Sequence, residues 1–239
     1  MKLFSRTVFA FLLLSSCAFA APRGIDFNFN IQDDHFKLEI KQEFKKSLSE
    51  VRKKFTPEFL PQISNVVKSV QITPLKESIS KVSVTGSKHG LSSTTVNICT
   101  EKTTSNEWVS VCSLDLDNED TGDFFNSGTE NIHCTTNPTG CSCSLIIEAS
   151  VKPQRSLFLY RSAEVLALGG IVELIHDQAV LNRILNLNET PKIAKTKFEE
   201  SNIGTCLGQI YSTYEGSAQK LAFTNKALEV QSSLWRCNP

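Results

Sequence analysis

His133, Cys134, Cys141 and Cys143 put four candidate metal ligands within eleven residues. Their spacing is not that of a zinc ribbon. On a strand, Cys141 and Cys143 would point to the same face, a poor arrangement for bonding to each other. In an exported chain such cysteines pair as disulfides; in a cytosolic chain the same cluster would read as metal. Structural disulfides are therefore the expectation here, with a metal or a reactive thiol as alternatives. If Cys134 bonds one of the pair, the other is left for a distant cysteine or remains an odd thiol. With Cys17 set aside the set is Cys99, Cys112, Cys134, Cys141, Cys143, Cys206 and Cys237, an odd number that leaves at least one unpaired or intermolecular.

Register suggests one pairing. If Ser105-Asn106 is a turn, Thr104 faces Glu107, Thr103 faces Trp108, and Cys99 falls opposite Cys112. Facing cysteines on antiparallel strands can bond where the pair lacks backbone hydrogen bonds and the side chains lie closest. Just beyond, Asp115, Asp117, Glu119, Asp120 and Asp123 form an acidic loop without a Lys or Arg nearby in sequence, an oxygen-rich surface that calcium favours. Aligned from Asp117, Gly122 takes the sixth position of an EF-hand loop, but Gly128 stands at the twelfth, where that motif needs a bidentate Glu. A solvated hairpin loop is the reading, with calcium as the alternative.

Glu173, His176 and Asp177 are the candidate catalytic residues. Spacings of three and four put them on one face of a helix, a geometry suited to acid–base work or to a metal. No second cluster that would complete such a site is identifiable. The plainer reading is a polar helix face with a salt bridge to Arg183 or another cation. The chain contains no Gly-x-Ser-x-Gly elbow, His-Glu-x-x-His pair, phosphate-binding glycine loop or dinucleotide fingerprint. Its histidines, His35, His89, His133 and His176, are scattered. These absences lower the expectation of an enzyme, although triads can assemble from distant positions. No cofactor is expected.

The chain opens with a basic start (Lys2, Arg6), an apolar run over residues 8–14 and small residues ending at Ala18-Phe19-Ala20. That is the three-part pattern of a secretory signal peptide over residues 1–20, cleaved after Ala20. Leu14-Ser15-Ser16-Cys17 also resembles the lipobox of bacterial lipoproteins, which makes lipidation of Cys17 the alternative. Ala-Phe-Ala-Ala after it is not the polar linker such proteins carry. No later stretch reaches about 18 uncharged apolar residues, so no transmembrane helix is expected. Losing Lys2 and Arg6 turns a balance of 25 basic and 25 acidic residues into 23 against 25. So neutral a chain is unsuited to general polyanion binding, and the expected partner is a protein or envelope component rather than nucleic acid.

The roughly 219 residues from 21 to 239 are enough for a real hydrophobic core, and they read as a single α+β domain. Residues 25–31 alternate apolar and polar as a half-buried strand does. Phe36, Leu38 and Ile40 fit a second hairpin arm, whereas Ile40, Phe44, Leu48, Val51 and Phe55 fit a helix. The seven basic and three acidic residues between Lys37 and Lys54 read as a solvated helix face, with an anionic membrane or a partner as the alternative. Ile63, Val66, Val67 and Val70 suggest a short helix closed by Pro74. Short Val-, Thr-, Ile- and Ser-rich runs broken by glycines then mark a mostly antiparallel sheet over residues 78–160. Ser162 is a credible N-cap for a helix carrying Val165, Leu168, Val172, Ile175 and Ala179, ended by 188–191. A stripe of Phe223, Ala227, Val230 and Leu234 marks a terminal helix.

The expected architecture is α+β: an N-terminal strand and helices, a central antiparallel sheet, and C-terminal helices packed on it. The expected role is an exported, non-catalytic binding or interaction protein of the envelope or secreted space. The alternative is a secreted hydrolase or thiol-dependent enzyme with dispersed active-site residues.

Overall fold

The computed structural model describes residues 25–32, 35–88, 91–122, 125–152, 170–216, 232–233 and 236–237. The signal sequence with Cys17, the Ser162 cap with Val165 and Leu168, and the stripe of Phe223, Ala227, Val230 and Leu234 lie outside the described residues.

Alternation builds the first hairpin. β1 (Asp26–Gln32) and β2 (His35–Phe44) pair antiparallel, with Phe27 opposite Ile40 and Phe29 opposite Leu38. The competing periodicities over Ile40 and Phe44 resolve as strand, because both residues are buried together with Phe36 and Leu38. Helix α1 (Leu48–Lys54) starts only after Ser47, which accepts from the Glu50 N–H while Glu50 accepts from the Ser47 N–H. The basic run is therefore not one helix face. Lys37 and Lys41 belong to β2 and pair with Glu148 and Glu39, while Arg52 on α1 pairs with Glu101.

After a turn at Pro57–Phe59 and helix α2 (Leu60–Ile63), the chain turns extended. Val67 and Val70, expected on a helix, lie in β3 (Val67–Lys76), where Val70 faces Val84 and Ile72 faces Val82 of β4 (Ile79–Lys88). Branched side chains pack well against cross-strand neighbours, and that pairing overrides the helical spacing. Pro74 is tolerated because β3 is an edge strand. β5 (Leu91–Thr103), β6 (Glu107–Leu114), β7 (Phe125–Asn137) and β8 (Gly140–Val151) complete an eight-stranded antiparallel sheet in the order β1-β2-β8-β7-β6-β5-β4-β3. A single helical turn, α3 (Glu119–Gly122), follows β6. The sheet is thus wider than residues 78–160 alone, since β3 extends one edge and β2 docks on β8. At the β7–β8 turn Gly140 has φ +150, and a Cβ there would meet the Phe44 carbonyl oxygen, so only glycine fits.

Paired residues share a face. The inner face carries Phe29, Leu38, Leu145, Ile132, Trp108 and Val82, all buried. Helix α4 (Gly170–Leu187) joins the same hydrophobic cluster through Ile171, Ile175 and Val180, and α5 (Pro191–Glu199) and α6 (Asn202–Gly216) pack behind it. The architecture is the expected α+β one. Helix α4 ends at Leu187, where Asn188 takes φ +55, and Thr190 caps α5 by accepting from the Ile193 N–H.

Three disulfides form: Cys99–Cys112, Cys134–Cys143 and Cys206–Cys237. The first matches the register about Ser105-Asn106, with Thr103 opposite Trp108. The second leaves Cys141 as the odd, buried thiol, which corrects its expected place among the bonded cysteines. The reason is register: both cysteines share one face of β8, but Cys143 stands directly opposite Cys134 across β7–β8, whereas Cys141 stands two positions along, opposite Thr136 and, across β2, Phe44.

Candidate functional site

The structure gathers Glu173, His176 and Asp177 into one buried cluster on α4. Their relative exposures are 7%, 8% and 2%. His176 Nδ1 lies 3.0 Å from Asp177 Oδ1 and 3.9 Å from Glu173 Oε1. Among the described residues this is the group of His, Cys, Asp and Glu whose donor atoms are close enough to share an ion, all within 4.8 Å of one another. The segment between α2 and β3 closes over it. Ser64 Oγ donates to Glu173 Oε1 at 3.1 Å, and the Asn65 N–H donates to the same oxygen at 2.5 Å. Burial pushes the Asp177 carboxyl up to about 6; the Glu173 charge adds to the rise, while the hydrogen bond and charge of His176 oppose it.

The expected salt bridge to Arg183 does not form. Arg183 instead pairs through Nε and Nη2 with Glu189, and Lys197 joins the same carboxylate at 2.9 Å. Among the described residues no lysine or arginine comes within ion-pair distance of Glu173 or Asp177. The ring nitrogen of His176 on the far side, Nε2, faces Asn65 Nδ2 at 3.4 Å and Glu199 Oε1 at 3.7 Å. Asn65 and Glu199 also line a groove of about 690 Å³ between the α2–β3 segment and α5, together with Gln62, Lys192 and Lys195.

For acyl transfer a nucleophile would have to bond His176. Ser64 is the nearby hydroxyl, but its proton goes to Glu173 and its oxygen accepts the N–H groups of Val66 and Val67 at 3.1 Å each. It is a turn-forming serine.

A second region is built by the sheet. Strand register places Glu130 on the inner face, opposite Cys112 of β6 and Ile147 of β8. Desolvation by burial raises its carboxyl above the usual range. The same face carries Val70 and Ile72 on β3, Val84 on β4, Leu114 on β6 and Ile147 on β8, apolar residues left only half-buried. The sequence held a signal for Glu130, since it falls in the same alternating phase as Ile132 and Cys134, where a buried strand residue belongs. Ser64, Asn65 and Glu199 carried no such signal, because they reach the α4 cluster from more than 20 residues away in the chain.

The other candidates are placed as follows. His133 is exposed on the outer face and meets Glu107 at 2.8 Å, while Cys134 and Cys143 bond each other, so the four expected ligands do not converge. Desolvation and the Glu43 carboxylate push the Cys141 thiol up to about 11, which makes it a poor nucleophile. In the acidic loop, Asp115 bridges to Lys81 at 3.0 Å, a cation that sequence proximity hides. Thr121 anchors that loop by accepting from the buried Val96 N–H at 3.0 Å. Asp117 and Glu119 lie at the surface, the Asp120 side chain is not among those described, and Asp123 lies outside the described residues. No helix among the described residues is long and apolar enough to cross a membrane.

No protein-family model matches the chain, and no curated protein matches it in sequence. Solved structures do match in fold. A STAR-related lipid transfer protein fragment from Xanthomonas axonopodis superposes with a TM-score of 0.50 at 12% identity, covering 66% of this chain and 93% of that one. The lipid transfer and protein localization domain of human StarD13 gives 0.48 at 12% identity over 66% and 82%. The di-domain ARO/CYC StfQ from the steffimycin biosynthetic pathway gives 0.48 at 10% identity over 64% of this chain and 51% of that one, about half its length. At such identities the likeness is one of fold: an antiparallel sheet gripping a long helix.

Proposed function

We propose that this chain is an exported, non-catalytic binding protein of the periplasm or secreted space, a single domain that holds an apolar ligand against the inner face of its sheet. The observation that carries the reading is the half-buried apolar set Val70, Ile72, Val84, Leu114 and Ile147 on the side of the sheet that elsewhere forms the core. Apolar surface of that kind, with one desolvated carboxyl among it, is what a mostly apolar pocket with a single orienting polar group consists of. The Xanthomonas structure is named for lipid transfer, which makes a lipid the first ligand class to test. Three intramolecular disulfides favour an oxidising compartment, in keeping with residues 1–20 acting as a cleaved signal.

The test is native mass spectrometry of the mature protein after incubation with phosphatidylethanolamine–phosphatidylglycerol vesicles. One lipid retained per chain is expected, and Val84→Trp and Ile147→Trp, which fill the inner face, should reduce retention at least tenfold with an unchanged circular dichroism spectrum. Absence of retained lipid in the parent chain, or retention indifferent to both substitutions, overturns the reading. Turnover of an ester or peptide substrate that is lost in His176→Ala would replace it with the hydrolase alternative.

A further inference from the structure

We infer that Glu173, His176 and Asp177 form a binding site for one divalent transition-metal ion, best suited to Zn²⁺, which ties α4 to the α2–β3 segment and α5. One imidazole and two carboxylates are a donor set that zinc takes readily. A tetrahedral ion with bonds of about 2.0–2.1 Å needs donor atoms about 3.3 Å apart. The separations of His176 Nδ1 from Asp177 Oδ1 and Glu173 Oε1, 3.0 and 3.9 Å, bracket that edge. All three residues are buried, with side-chain exposures of 9% for Glu173, 10% for His176 and 3% for Asp177.

Two further observations, independent of those distances, point to a cation. The first is the charge balance: two carboxylates are buried side by side, and among the described residues the group facing both is the His176 ring, with no lysine or arginine in ion-pair range. Buried carboxylates are ordinarily paired or bound to metal. The second is the support around the donors. Glu173 is held by the Ser64 hydroxyl and the Asn65 N–H, while His176 turns Nε2 toward Glu199 and Asn65 and Nδ1 toward the carboxylates. A metal-bound histidine characteristically has its other nitrogen facing a carboxylate, and here Glu199 stands 3.7 Å from Nε2. Asn65 and Glu199, which face Nε2, also line the groove beside α5. Lys195 stands at its wall, but its ammonium is engaged with the Ser64 carbonyl at 3.2 Å rather than with a donor carboxylate.

The site is independent of the lipid reading and is tested without it. Chelator-treated full-length mature protein is titrated with Zn²⁺ by calorimetry and, in parallel, with Co²⁺ by visible absorption. The expected result is one ion per chain, a melting temperature raised by several degrees, and a Co²⁺ spectrum with ligand-field bands but no thiolate charge transfer. His176→Ala and Asp177→Asn should each weaken binding at least 100-fold, and Glu199→Gln, which leaves the three donors intact, about tenfold. Should His176→Ala fail to fold, Asp177→Asn, which keeps the side-chain volume, carries the test. No stoichiometric binding by the parent chain, or affinity unchanged in Asp177→Asn, overturns the assignment, as does a thiolate band tracing the ion to Cys141.

Discussion

Glu189, just past the end of α4, and the Glu173–Asp177 pair on that helix meet burial in opposite ways. Burial alone would raise the Glu189 carboxyl, yet hydrogen bonds and charge from Arg183 and Lys197 outweigh it and leave the group below its usual range. At Asp177 the same desolvation wins, because what faces it is a histidine and a second carboxylate. The difference teaches that charge on α4 is balanced locally at its C-terminal end and left over where Ser64 and Asn65 close the cluster. A helix that spends its arginine on Glu189 has none for Asp177.

The comparison breaks most severely if Glu173 is dispensable. In metal-free protein, Glu173→Ala should lower the unfolding free energy in urea by about 3 kcal/mol, since the Ser64 hydroxyl and Asn65 N–H lose their buried acceptor. A loss well under about 1 kcal/mol would mean that the cluster is not a structural unit.

Glu189→Ala should cost less, about 1 kcal/mol at neutral pH, because Arg183 and Lys197 are partly solvated. Here the pH dependence has a fixed sign. A carboxyl whose folded pKa is depressed stabilises the fold above its unfolded pKa and loses that contribution as pH falls through the folded value. Parent and variant curves should therefore converge in acid, and a gap that widens there would contradict the pairing.

Glu130→Gln tests the opposite sign. Its folded pKa is raised, so the folded state binds the proton more tightly, and stability declines as pH rises from the ordinary carboxylate range through the folded value. Removing the charge should stabilise the protein at neutral pH by of order 1 kcal/mol. Below pH 4 or so, where glutamate is protonated in both states, the advantage should vanish.

The smallest effect is expected at Cys141. Its desolvated thiol should resist iodoacetamide at pH 8 in the folded protein and react on unfolding in urea, with Cys141→Ala changing stability by about 1 kcal/mol or less. Rapid alkylation of the native chain, read by mass spectrometry, would show that the Cys141 thiol is accessible in the folded protein.

Much of this was legible in order along the chain because it depends on local period. Alternation marked β1, and the two-residue turn set the β5–β6 register closely enough to place Cys99 on Cys112. The α4 candidates were legible for the same reason, since spacings of three and four survive whatever the helix packs against. The stretch from Val66 to Val70 was not, because five residues satisfy helix and strand templates alike until a partner strand is chosen.

By itself, then, the sequence determined the periodic elements, the oxidised character of the cysteines and the shared face of Glu173, His176 and Asp177. Tertiary structure alone decided that β2 docks on β8, that Lys81 neutralises Asp115, and that Ser64, Asn65 and Glu199 surround His176. Those outcomes are long-range. Which charge meets which, and whether a carboxylate is solvated or buried, depends on contacts between residues from tens to more than a hundred positions apart, and no local period encodes them.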